Sequence, residues 1–311
     1  MKLSYSVRMA VCALLLQGAV SVHAQTSYTL STPPNIARWM YPFNGEVTNR
    51  IDASTFAAFG YIGDNPLGSF DTRDGQFLLG WNTSSSGIPT GRGATHYSIN
   101  YVLVTLTISG EGDQYAYDDQ QHPYTSYFPP NTNNLTSPVE LYGVGYRGGY
   151  TNASNVFVPY SATNFQQGTT FFADPNAGDY TNRTAYAACY NTNGVLVDVS
   201  DNVGDDGTNE IPTAFEVTPF AIGQNVNFTV GELMPTGSQL TFALNLDDTN
   251  VVSYIQQGLN QGNLNFMISS LVNASYISGG SPNWPDFYTI FDSGISTNEY
   301  PIIDIGVTIS R

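Results

Sequence analysis

The chain has 311 residues, with 25 acidic against nine basic side chains and a formal net charge of −16. A field of that sign repels phosphate backbones and anionic lipid surfaces, so nucleic acid and membrane-surface partners are not expected. Aromatic residues make up 13% of the chain and apolar residues 41%, which is too much buried-type surface for a disordered polymer.

Lys2 and Arg8 precede an apolar run from Met9 to Val22, and Val22-His23-Ala24 supplies small residues where a signal peptidase reads. This predicts a signal peptide over residues 1–24, cleavage before Gln25, and a secreted, extracellular or cell-envelope location. The run is too short for a comfortable membrane span, so no membrane insertion of the mature chain is expected. Lys2 is the only lysine, which excludes Schiff-base and lysine-assisted chemistry once the leader is gone. Cys189 is then the only cysteine, so no intrachain disulfide forms, and its neighbours Tyr186, Ala187, Ala188 and Tyr190 mark it as a small buried hydrophobe in a strand.

Residues 25–311 read as a single β-sandwich domain. Ile36–Phe43 and Thr55–Tyr61 are short strands separated by an Asn44-Gly45 turn. Phe77–Trp81 and Tyr97–Ile108 are the strongest strands. The second alternates Val102, Val104, Leu106 and Ile108 on one face with Ile99, Tyr101, Leu103 and two threonines on the other, the pattern of a central strand packed on both faces. The Ser-, Thr- and Gly-rich link Asn82–Thr95 belongs at the surface. A loop-rich insertion is expected at about 110–210, holding strands at Val139–Tyr146, Asn155–Val158, Ala185–Tyr190 and Val195–Val199. Ala214–Ile222, Leu240–Leu246, Leu264–Ile268 and Tyr300–Ile309 complete the strands. Asp247 and Asp248, then Val251, Ile255 and Leu259 at four-residue spacing, then Gly262, predict one short helix plugging an end of the sandwich.

Arg73–Leu79, Ile88-Pro89-Thr90-Gly91, Leu106-Thr107-Ile108, Phe215–Thr218, Phe287-Tyr288-Thr289 and Pro301–Ile305 together resemble the secreted DNRLRE-type domains. The resemblance implies a two-sheet jelly-roll sandwich similar to carbohydrate-binding modules. It brings no ligand residue with it.

Catalytic motifs are thin. No Gly-x-Ser-x-Gly, His-Glu-x-x-His or phosphate-cradling loop is present, and His96 and His122 lie in polar loops. Glu46, Glu111, Glu140, Glu210, Glu216 and Glu232 are carboxylates that a glycosidase could pair. The leading expectation is a non-catalytic module that binds a polysaccharide or glycan, or serves as a surface or matrix interaction module. A polysaccharide hydrolase or lyase on the same fold is the alternative. Ring stacking on sugars would fall to Trp284, between two prolines, and to Tyr115, Tyr117, Tyr124 and Tyr146. Asp198, Asp201, Asp205, Asp206 and Glu210 concentrate hard oxygen ligands around glycines, the donor set of a structural calcium. Six Asn-x-Ser/Thr sequons begin at Asn82, Asn134, Asn152, Asn182, Asn227 and Asn273.

Overall fold

In a computed structural model, residues 25–40, 49–56, 75–109, 115–121, 136–146, 185–199, 218–270 and 284–310 are described. The signal peptide expected over residues 1–24, the Asn44-Gly45 turn, the strand expected at Asn155–Val158 and the acidic loop after Asp201 lie outside them.

Along the chain come β1 (Gln25–Thr32), β2 (Ile36–Met40), β3 (Asp52–Ser54), β4 (Gln76–Asn82) and β5 (Tyr97–Thr107). Then follow β6 (Tyr115–Ala116), β7 (Val139–Tyr146), β8 (Ala185–Tyr190), β9 (Leu196–Asp198), β10 (Ala221–Gln224), β11 (Leu233–Met234) and β12 (Gln239–Ala243). The helix α1 (Thr249–Gln261) precedes β13 (Asn263–Ser270), β14 (Asp286–Tyr288) and β15 (Ile302–Ser310).

The fold is all-β and sandwich-like, built from one large antiparallel sheet that curls on itself. Its order is β1-β15-β5-β12-β10-β7-β13-β4-β2, with β8 and β9 branching from β7. The two layers are joined through β10, whose Gly223 and Gln224 pair with β12 while Ala221 and Ile222 pair with β7. Phe242 stands opposite Gly223, and a methyl group there would come within 2.9 Å of its ring, so the bend needs glycine. β4 and β5, neighbours in sequence, lie in opposite layers.

Between the layers is one core. Val102, Val104, Leu106, Ile303, Ile305 and Val307 meet Phe77, Leu79, Trp81, Leu141, Phe266 and Ile268, all essentially inaccessible. At roughly 2 kcal/mol for each large apolar side chain fully removed from water, this layer contact supplies most of the driving force.

The helix forms where its spacing predicts. Asp248 caps it, accepting the Asn250 N–H at 2.8 Å, and Gly262 ends it in the left-handed conformation at φ 84°. Its buried stripe of Val251, Tyr254, Ile255 and Leu259 touches both β5 and β13, so it bridges the layers. The link 82–95 is less peripheral than its polarity implies. Ile88 is buried, and the Gly91 and Gly93 N–H groups donate to the Asn260 carbonyl and side-chain oxygen, docking the link on the end of α1.

Burial on both faces belongs to different strands from the one expected. β7 is buried along its whole length and β13 nearly so, whereas β5 leaves Tyr101 exposed with Leu103 and Thr105 only half-buried. The alternation of β5 is also broken once. Gly306 pairs with Tyr101 and Val307 with Ile99, so Asn100 is an extra residue in the strand. That bulge turns Tyr97 and Ile99 inward beside Val102, correcting the face assigned to Ile99.

Candidate ligand-binding face

The outer side of the β12-β5-β15-β1 layer is rich in hydroxyls and amides, interrupted by Leu103, Ala243 and Ile302. Thr29, Gly306 and Tyr101 stand side by side across β1, β15 and β5, and Ser31, Asp304, Leu103 and Ala243 form the next row. Period two dictates this: with Leu30, Ile305 and Val102 directed into the core, their neighbours must face out. Ser27 Oγ and Thr308 Oγ1 lie 3.2 Å apart, and Asn100 Nδ2 donates to the same threonine at 3.2 Å. At the β12 end the face is covered, Thr107 being buried and Gln239 Nε2 donating to Thr107 Oγ1 at 3.2 Å and to the Asn298 carbonyl at 3.3 Å. Asp304 carries the only charge among these outward residues.

Tyr101 is 40% exposed, one of few large rings so open in the described chain. It lies over Gly306, directly opposite on β15, where a methyl group would overlap the ring. Glycine below lets the ring lie down across the sheet, leaving its far side to solvent. The result is an open aromatic platform beside fixed hydroxyl and amide groups, with Asp304 the one charge among these outward strand residues. Such a face stacks on an apolar sugar face while meeting its hydroxyls at the rim.

The tyrosines singled out in sequence have other work. Tyr115, Tyr117 and Tyr146 are 1%, 2% and 3% exposed, so their rings are not open to a ligand in this structure. The Tyr115 hydroxyl donates to the Ser137 carbonyl at 2.7 Å, the Tyr117 hydroxyl accepts the Asn225 N–H at 2.9 Å, and the Tyr146 hydroxyl accepts from Asn265. Aromatic bodies with a polar tip bury readily once the tip finds a partner. Trp284 is half-buried, its ring 5.0 Å from that of Phe56 at a 46° tilt. Tyr124 lies outside the described residues. Trp81 and Cys189 are buried, as their strand positions imply.

Among the carboxylates, Glu140 is the unusual one. It is 4% exposed on the second face of β7, opposite Ser269 of β13, and accepts a short hydrogen bond from the Tyr142 hydroxyl. Gln76 Nε2 reaches Ser269 Oγ at 3.5 Å, continuing a polar row into β4. Burial pushes the Glu140 carboxyl up to about 7, against the lowering effect of the Tyr142 hydrogen bond. No second carboxylate among the described residues joins it. Glu232 serves a turn, accepting from the Thr229 N–H at 3.1 Å, and Glu46, Glu111, Glu210 and Glu216 are outside the described residues.

Of the five acids expected at a calcium, Asp198 lies in β9 opposite Ala188, while Asp201, Asp205, Asp206 and Glu210 fall outside the described residues. Among the described residues no group of three or more His, Cys, Asp or Glu side chains could hold a metal, and no helix is long and apolar enough to cross a membrane.

The architecture thus defines an all-β, sandwich-like protein with one sheet face rich in hydroxyls and amides. Comparison of the chain with protein-family models, with curated proteins and with solved structures finds no match.

Proposed function

We propose that this is an exported, non-catalytic β-sandwich module that binds uncharged polysaccharide on the outer face of β12, β5, β15 and β1. What supports the reading most is Tyr101, an open ring laid over Gly306 within a ladder of hydroxyls and amides. The strong negative charge of the chain favours neutral over anionic polymers. The DNRLRE-type resemblance points in the same direction, and the leader predicted over residues 1–24 supplies the export. Pull-down on insoluble neutral polysaccharides, with a glycan array and a reducing-end assay on the same polymers, tests it. Retention without new reducing ends is the expected result. Release of sugar ends would favour the hydrolase, and absence of retention by folded protein would leave only an adhesive or structural role.

A structural calcium at Asp198, Asp201, Asp205, Asp206 and Glu210 belongs to the same proposal. A cation that binds only the folded loop stabilises it by mass action. EDTA should then lower the melting temperature, added calcium should restore it, and a variant carrying Asp205→Asn and Asp206→Asn should lose the response. A melting curve indifferent to EDTA removes calcium from the account.

A further inference from the structure

We propose that β1 is a self-pairing edge through which two copies of this chain join their sheets. Among the described residues β1 pairs with one strand only, β15, in eight consecutive pairs from Gln25–Ser310 to Thr32–Ile303 without a register break. Among the described residues no strand pairs with its other side. Natural edge strands are normally blunted by charge, proline, a bulge or shortness. Gln-Thr-Ser-Tyr-Thr-Leu-Ser-Thr has none of these, and most of its residues are exposed.

A second copy fits this edge better than an arbitrary peptide, for three reasons. First, antiparallel pairing about a two-fold axis at Thr29 sets Thr29 against Thr29, Ser27 against Ser31 and Tyr28 against Leu30. Each residue meets one that points to the same sheet face, so hydroxyls meet hydroxyls outside and an aromatic ring meets an aliphatic chain inside. The Thr32 carbonyl already accepts the Trp81 indole N–H at 3.1 Å, so the pairing runs over Ser27–Ser31. Second, in a chain of net charge −16, β1 is an eight-residue edge without any charge, where two copies approach at least cost. Third, the join continues the hydroxyl-rich face from one copy into the next. The two Tyr101 platforms would then be five strand spacings, roughly 24 Å, apart on one surface. The pairing itself needs no ligand, but its use in gripping an extended polymer at two points rests on the function proposed above. An edge contact this short buries well below the roughly 1,200 Å² of a standard interface, so the dimer should be concentration-dependent.

Sedimentation equilibrium of the purified protein, without glycan, over a wide concentration range should show a monomer–dimer equilibrium. Thr29→Asp, which sets two carboxylates face to face, should leave only monomer with an unchanged circular dichroism spectrum. On the two-fold axis the paired Cα atoms would be about 4.5–5.5 Å apart, within disulfide reach. Thr29→Cys should therefore cross-link under mild oxidation much faster than Asn227→Cys, a control at an exposed turn. Monomer at every concentration, a dimer untouched by Thr29→Asp, or equal cross-linking of the two cysteine variants would each overturn the proposal. None of these outcomes depends on whether the protein binds sugar.

Discussion

Tyr254→Phe should lower the free energy of unfolding by several kcal/mol, although it removes one oxygen and no packing volume. β7 and β13 pair as far as Tyr142 opposite Met267. Two residues further in that register, Val144 would face Asn265, but there the ladder opens, and the Tyr254 hydroxyl stands in the gap. It accepts the Val144 N–H at 2.9 Å and donates to the Asn265 carbonyl at 2.7 Å, replacing a strand-to-strand bond with a bridge from the helix. Gly143 makes the room, since a methyl group there would lie 2.9 Å from the tyrosine ring. Phenylalanine strands a buried donor and a buried acceptor, at about 1–3 kcal/mol each. Urea unfolding at neutral pH measures it. A loss below half a kilocalorie, on the order of a surface substitution, would mean that the gap closes or admits water.

The second large effect concerns pH. The Glu140 carboxyl titrates at about 7 in the fold against an ordinary 4.5, so the folded protein holds a proton there that the unfolded chain has released. Stability therefore falls as pH rises from 4.5 to 7; below this window both states are protonated, and above it the penalty is complete. Glu140→Gln keeps a side chain of the same shape and removes the titration. The variant should match the wild type near pH 4 and exceed it by on the order of 3 kcal/mol above pH 8. Parallel unfolding curves across that range read the difference directly. Were the gap between the two proteins constant with pH, the carboxyl would be ionised throughout and its burial compensated.

Much of the architecture was legible because apolar periodicity survives in the strands that matter. β4, β5, β7, β8, β13 and β15, and the helix with its Asp248 cap and Gly262 stop, lie where the pattern sets them. The sheet's connectivity was not legible. That β10 pairs with both layers depends on which strands meet, and no local pattern encodes it. β1 carries little signal, because its alternation is of serine and threonine against only Tyr28 and Leu30. For the same reason the polar face stayed hidden: it consists of the residues that periodicity discards once the core has been chosen. The bulge at Asn100 mattered too, since strict alternation puts Ile99 and Tyr101 on one face while the structure separates them. Composition records an excess of rings but not which hydroxyls find a partner inside, as those of Tyr115, Tyr117 and Tyr146 do.

The direct measurement of ligand binding at the Tyr101 platform is the affinity of wild type and Tyr101→Ala for a soluble neutral polysaccharide. Circular dichroism and melting curves would establish that both are folded. Removal of one stacking ring should weaken binding by about threefold to tenfold, on the order of 1 kcal/mol. Trp284→Ala, which changes a half-buried ring packed on Phe56 and off this face, should leave the affinity unchanged. Equal affinity of Tyr101→Ala and wild type, or a loss confined to Trp284→Ala, would contradict the placement of the ligand on the outer sheet face.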